Sequence, residues 1–278
     1  MRGLHETQAR LHLALDRDEF ILHYQPKVNL RTGALIGVEA LIRWQHPELG
    51  LRLPVDFLPA VEASPLVDAL GEWVIEQALA QIDRWRAQGL DIPISVNISG
   101  QHLQRPDFVE RLRALLAAHP EVTPARLELE VLETSALEDL GQAARVLDAC
   151  RELGVAFALD DFGTGYSSLT YLKRLAVKTL KIDRGFVHDM LDDPDDLAIL
   201  EAIIGLAAAF RREVIAEGME SMAHGARLLA LGCELAQGFA IARPMPAEAL
   251  PEWLAGWRAD ARWSALQENY GSPRQPGV

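Results

Sequence analysis

The chain has 278 residues, with 27 Lys and Arg against 40 Asp and Glu, for a formal charge of −13. That balance speaks against a grip on polymeric nucleic acid and against a polybasic membrane contact, both of which need clustered Lys and Arg. The apolar share of 49% is ordinary for a globular chain, and two cysteines, Cys150 and Cys233, are too few for a disulfide framework.

In chain order, residues 1–19 read as a charged helix or connector. They lack the basic-then-apolar pattern of a secretory signal. The longest apolar stretch, Ile203–Phe210, is less than half of the roughly 20 residues a membrane span needs, so a cytoplasmic setting is expected. Short β-branched runs then alternate with longer helical patterns. Strands are predicted at Phe20–Tyr24, Leu35–Ile42, Ile94–Ile98, Leu127–Leu132, Ala156–Leu159, Thr179–Ile182, Val214–Ala216 and Leu235–Phe239. Helices are predicted at Leu66–Gln88, Phe108–Ala118, Leu140–Leu153, Asp195–Phe210 and Met222–Leu231, with Gly89, Gly154 and Gly232 as left-handed stops.

About eight strand–helix alternations over residues 20–258 point to an α/β fold of the (β/α)8 type, with an open doubly wound sheet as the competing layout. The first two strands are joined by a short Pro/Asn/Gly stretch without a helix. Such a link suits a hairpin, so the expected fold is a modified TIM-like barrel with an antiparallel first strand. Residues 259–278 read as a tail, disordered from Tyr270 by its Gly, Pro and polar content.

In a barrel, side chains at the C-terminal strand ends converge on one mouth. Here those ends carry Glu39, Asn97, Glu130, Asp160 with Asp161, Lys181 with Asp183, Glu217 and Gln237. Side chains alternate along a strand, so Asp161 should point away from Asp160 and the pair should address two different ions. An all-oxygen donor set suits Mg²⁺ or Mn²⁺, whereas nothing favours Zn²⁺: there is no Cys cluster and no His pair at helical spacing. Acids gathered around two divalent ions are a recurring device for phosphoester cleavage, in which the metals activate water and stabilise the oxygens in flight. Lys181, the one amine among the acids, either orients or helps deprotonate the attacking water, or balances the carboxylates. Arg43, just past Glu39, suits a phosphate. The loop Asp161-Phe-Gly-Thr-Gly-Tyr-Ser-Ser168 lacks the lysine of a phosphate-binding P-loop. It reads either as a turn into a helix capped by Ser167 or Ser168, or as a gate beside the acids.

The same residues stand in a series of motifs. Glu39-Ala40-Leu41 lies within Val38-Glu-Ala-Leu-Ile-Arg-Trp44 and follows Tyr24-Gln-Pro26. Then come Val96-Asn-Ile-Ser99, Asp160-Asp-Phe-Gly-Thr-Gly-Tyr-Ser-Ser-Leu169, Lys181-Ile-Asp183, Ala216-Glu-Gly218 and Gln237-Gly238. In order and spacing the series resembles the EAL-domain family of bacterial cyclic di-GMP phosphodiesterases, over roughly residues 10–258. The resemblance implies a homodimeric barrel that hydrolyses cyclic di-GMP to linear pGpG with two Mg²⁺ or Mn²⁺, Ca²⁺ being inhibitory. It implies that Glu39, Asn97, Glu130 and Asp160 hold one metal, that Asp160 is shared, and that Asp161 holds the second. Asp183 and Gln237 would support that second metal, and Glu217 would join the metal–water cluster. Lys181, Glu217 and Glu39 would carry the catalysis, Glu133 would anchor the Asp161–Ser168 loop, and Gln25, Leu41, Arg43 and Gln237 would meet the substrate. Leu132 stands where the family usually has Thr, Ala176 and Lys178 replace a frequent Pro and Asp, and Phe239 replaces a frequent Tyr. None of these removes an implied ligand. A catalytically silent cyclic di-GMP receptor is the alternative, though such a domain should lack some of the acids. Residues before Leu22 resemble the connector that follows an upstream sensory or cyclase domain.

Overall fold

The computed structural model describes residues 2–165, 169–260 and 263. Its strands are β1 (Phe20–Asn29), β2 (Leu35–His46), β3 (Gly50–Arg52), β4 (Ile94–Ile98), β5 (Leu127–Leu132), β6 (Ala156–Phe162), β7 (Thr179–Ile182), β8 (Glu213–Ala216) and β9 (Leu235–Gln237). Hydrogen bonding runs in the order β1-β9-β8-β7-β6-β5-β4-β2-β3, and a further β1–β2 pairing closes eight strands into a barrel. β1 is antiparallel to both its neighbours, β2 and β9. The other pairs around the ring, from β2–β4 to β8–β9, are parallel. This is the modified TIM-like barrel expected from the sequence.

β1 continues five residues beyond the predicted end at Tyr24, through Pro26. The N–H of Tyr24 donates away from β2, to Met245 O at 2.7 Å. Pro26, two residues on, faces the same way, so its missing N–H costs the β1–β2 ladder nothing. β2 is also longer than predicted, and a three-residue strand, β3, folds back on its end. β9 stops at Gln237, because Gly238 O already accepts turn bonds from Ile241 N and Ala242 N. The five predicted helices appear at Leu66–Ala87, Phe108–Ala118, Leu140–Glu152, Pro194–Ala209 and Met222–Ala230. Gly89, Gly154 and Gly232 have φ of +80°, +89° and +85°, the left-handed geometry expected of their stops.

Strand parity decides what lines the barrel. Val96, Val131, Leu159, Leu180 and their neighbours of like parity are buried in the main apolar cluster. The opposite parity carries polar side chains that bond to strands across the ring, such as β1 to β5 and β7 to β2, which is possible only through the interior. The N-terminal helix, Arg2–Asp16, packs Leu11 and Ala14 into a second cluster with Phe20, Trp44 and Phe57. Glu19 ties it down, accepting from Arg10 at 2.6 Å and from Trp44 Nε1 at 2.9 Å. Both cysteines are buried and free, and burial pushes each thiol up to about 12, in keeping with small core residues. No described helix is long and apolar enough to cross a membrane. The capping expected of Ser167 or Ser168 and the tail from Tyr270 lie outside the described residues.

Candidate active site

Lys181 is fully buried at the end of β7, where the interior polar face of the strand meets the mouth. Its Nζ lies 2.6 Å from Glu217 Oε1, 3.1 Å from Asp160 Oδ1 and 3.5 Å from Glu39 Oε2, and it bonds Glu130 Oε2. Four carboxylates, on β2, β5 and β6 and just past β8, thus meet one ammonium. Burial alone would pull the lysine down, but Glu130, Glu217, Glu39 and Asp160 outweigh it and hold Lys181 well above its ordinary value. Without metal, Lys181 is thus the shared counter-charge of the four acids.

The acids respond unequally. Burial would raise Glu130, yet Lys181 and Lys27 beside it bring the carboxyl down to about 2. Glu39 is raised by burial and by Glu130, with Lys181 only partly offsetting them. Asp160 and Glu217 are likewise raised, chiefly by burial, against the pull of Lys181. Asp161 is pushed up to about 6 by burial and then by Asp160 and Asp183.

Asp161 departs from simple alternation. Its φ is +52°, and the β6–β7 register shifts between Leu159 and Phe162. This irregularity turns Asp161 back beside Asp160, so that Asp160, Asp161 and Glu217 each offer an oxygen within 4.8 Å of the others. The expectation that Asp161 points elsewhere is thus corrected: the adjacent pair converges.

The amides complete the ring. Asn97 Nδ2 donates to Glu39 Oε1 at 2.7 Å, and Gln237 Nε2 donates to Glu39 Oε2 at 2.7 Å and Gln25 Oε1 at 2.9 Å. Gln237 Oε1 is buried without a partner, an oxygen donor left for a ligand. Asp183 accepts from Gly185 N at 2.8 Å, capping the helix Arg184–Asp189, and also lies against Asp161. Glu133 Oε2 accepts from Gly163 N at 2.9 Å and Gly165 N at 3.4 Å, tying the end of β5 to the loop after β6. These donors are all oxygen and mostly anionic, and they suit hard divalent cations such as Mg²⁺ or Mn²⁺.

A cavity of about 420 Å³ opens beside the acids, lined by Gln25, Glu39, Leu41, Arg43, Arg184, Glu217, Gln237 and Phe239 among others. Phe239 is 52% exposed at its rim, with the Arg243 guanidinium stacked 4.2 Å from the ring. A more apolar cavity of about 310 Å³ adjoins Leu41, Asn97, Glu130 and Leu132. The expected substrate residues Gln25, Leu41, Arg43 and Gln237 therefore share one hollow with the acids. A larger groove, about 700 Å³, follows β1 and the helix Leu66–Ala87, away from the carboxylates.

Sequence reasoning missed a layer below the mouth: Lys27, Ser95, Glu128 and Thr179. Lys27 Nζ lies 2.8 Å from Ser95 Oγ and 3.1 Å from Glu128 Oε2, and Thr179 Oγ1 donates to Glu128 Oε1 at 3.0 Å. Parity could have found them. Each stands two residues from a mouth residue on its own strand (Gln25, Asn97, Glu130 and Lys181) and so shares its face.

Asp161 makes the site sensitive to pH. In metal-free protein it keeps its proton up to about pH 6, whereas an unfolded Asp releases it near pH ~4. The native state holds the extra proton through that window, so metal-free stability falls as pH rises across it. A divalent cation competes for the same oxygens. Mn²⁺ affinity should therefore rise between about pH 5 and 7. Calorimetric titration across that range checks this, and a flat profile contradicts it.

A model of the EAL domain matches residues 8–244. The chain is similar to the bifunctional diguanylate cyclase/cyclic di-GMP phosphodiesterase MucR of Pseudomonas aeruginosa, at 44% identity over 241 residues, covering 86% of this chain and 35% of that protein. It is similar to the cyclic di-GMP phosphodiesterase PA2567 of the same organism at 39% identity over 235 residues, covering 84% of this chain and 40% of that protein. Among solved structures, the PaMucR phosphodiesterase in complex with c-di-GMP superposes with a TM-score of 0.85 at 43% identity, over 88% of this chain and 99% of that one. This chain spans 35% and 40% of the lengths of the two curated relatives.

Proposed function

The chain belongs to the EAL domain family, and from that premise we propose that it is a metal-dependent phosphodiesterase converting cyclic di-GMP to linear pGpG. The observation that carries the reading is the complete oxygen-donor ring around Lys181, with none of the expected acids missing. Glu39, Asn97, Glu130 and Asp160 would hold one cation. Asp160 would be shared, Asp161 would hold the second, and Asp183, Gln237 and Glu217 would complete the two shells. Once bound, two such ions acidify the attacking water and neutralise charge building on the phosphate oxygens. Six carboxylates (Glu39, Glu130, Asp160, Asp161, Asp183, Glu217) and Glu128 below them stand against Lys181 and Lys27, so four positive charges from two cations nearly balance the site.

The chain's own groups do the rest. Lys181 donates to the water and orients it toward phosphorus. As the water oxygen bonds to phosphorus, the bond from phosphorus to the ribose 3′ oxygen breaks, and that oxygen takes a proton from solvent. Glu217, whose Oε1 stands 2.6 Å from Lys181 Nζ, would take the proton the water gives up once bound cations hold its carboxylate ionised. Arg43 and Arg184 supply guanidinium groups for phosphate, and Leu41 and Phe239 offer apolar and aromatic surface to a base. With cations in place, the anionic substrate meets positive charge first, despite the chain's −13.

A homodimer, a cytoplasmic setting and an upstream sensory or cyclase domain belong to the same reading. The experiment that tests it incubates the chain with cyclic di-GMP and Mn²⁺ or Mg²⁺ and separates the nucleotides. pGpG should form with metal, stop with EDTA and return when metal is restored. Intact cyclic di-GMP recovered from folded, metal-loaded protein would instead favour the silent receptor.

A further inference from the structure

The buried layer beneath the mouth has no part in the reaction so far described, and one of its members reaches a metal ligand. Lys27 is 3% exposed on β1, and its Nζ lies 3.4 Å from Glu130 Oε1 as well as 3.1 Å from Glu128 Oε2. Lys181 bonds the other oxygen of Glu130, Oε2, from the mouth side. The Glu130 carboxylate is thus gripped at both oxygens by ammonium groups on two different strands, β1 and β7. A carboxylate offers about four lone-pair sites. Lys27, Lys181 and the Ser95 hydroxyl take three here, and the grip fixes the direction of the one that remains. Lys27 also holds the Ser95 hydroxyl at 2.8 Å, so without it Glu130 would keep Lys181 as its one firmly placed partner and would turn more freely about its last torsion, which is broad and soft.

We propose that Lys27 is a positioning residue of the metal centre, fixing Glu130 from below so that its free lone pair faces the mouth. The proposal rests on the metal centre of the phosphodiesterase reading but not on any substrate or product. The competing role for Lys27 is plain neutralisation of Glu128, its nearer carboxylate. The two roles separate experimentally, because neutralisation depends on charge count and positioning depends on the Glu130 contact.

The test titrates Mn²⁺ into the metal-stripped full chain by calorimetry, for wild type, Lys27→Met, Glu128→Gln and the double variant, with thermal unfolding in parallel. Partners that orient a metal ligand typically change affinity by about 10- to 100-fold. That weakening is expected in Lys27→Met, whereas Glu128→Gln should stay with the wild type. In the double variant the layer loses one charge of each sign, so thermal stability should return while Mn²⁺ affinity stays weak. Should Lys27→Met not fold, the charge-balanced double variant carries the comparison. Wild-type Mn²⁺ affinity in the double variant overturns the proposal and leaves Lys27 as the counter-ion of Glu128. A wild-type chain that takes up no Mn²⁺ overturns it together with the metal reading, so the two failures are told apart.

Discussion

Replacing Lys181 by Met is expected to cut hydrolysis of cyclic di-GMP by about 100-fold or more, the loss typical when a reacting group is misplaced by about 1 Å. The same change has a separate cost in folding. Lys181 is the ammonium shared by Glu39, Glu130, Asp160 and Glu217, all in or near the barrel interior. Removing one partner of a buried ion pair typically costs about 3–5 kcal/mol, because the remaining charge stays buried and unpaired. Metal-free Lys181→Met should therefore unfold at lower temperature than wild type, and less so at acid pH, where the four acids take up protons. Added Mn²⁺ should recover much of that stability, since cations replace the lost positive charge, yet turnover should stay low. Stability that recovers without activity separates the orienting role from simple charge balance. Turnover within tenfold of wild type would refute the orienting role.

Asp160→Asn should also abolish turnover, but with the opposite effect on metal-free stability. Asp160 sits within 4.8 Å, oxygen to oxygen, of Asp161 and Glu217 and is the ligand assigned to both cations. Neutralising it should weaken Mn²⁺ binding by more than about 100-fold, beyond the range seen when only an orienting partner is lost. Hydrolysis should fall with it. Without metal, however, ionised Asp160 is a burden: burial raises its carboxyl by more than Lys181 lowers it, and neighbouring Glu130 adds repulsion. An asparagine of the same shape removes that repulsion while Lys181 keeps three carboxylate partners. Thermal unfolding in EDTA near neutral pH should accordingly show the variant as stable as the wild type or more so. This is the trade expected where a strained site serves activity rather than folding. A destabilised variant that still binds Mn²⁺ tightly would contradict this placement of Asp160.

The contrast between these two residues bears on what could be read in advance. Lys181, Glu39 and Glu130 were legible because a barrel brings its strands to one mouth, and because alternating strand and helix patterns placed the ends of β5 and β7 and the start of β2 where the structure has them. The antiparallel first strand was legible from a link too short to hold a helix. Asp161 was not, because alternation assumes an unbroken strand, and a residue at φ +52° interrupts β6 there. The end of β1 was set too early because Pro26 reads as a breaker. Whether a proline breaks a strand depends on which side its nitrogen faces, and that depends on the pairing partner rather than on local sequence. Lys27 and Glu128 were within reach of parity but were passed over, since buried charges away from strand ends look unremarkable until their partners across the barrel are seen. Lys178, which stands where the family frequently has Asp, pairs with Glu213 at 3.1 Å, a local contact between β8 and the residue preceding β7.

The most direct measurement of the central claim is hydrolysis of cyclic di-GMP in ¹⁸O-labelled water with Mn²⁺, followed by mass spectrometry of the nucleotides. Water attack on phosphorus with loss of the ribose 3′ oxygen places one ¹⁸O in the 5′-phosphate of pGpG, and Lys181→Met should form almost none of it. Cyclic di-GMP recovered intact and unlabelled from folded, Mn²⁺-loaded wild type would contradict the phosphodiesterase assignment.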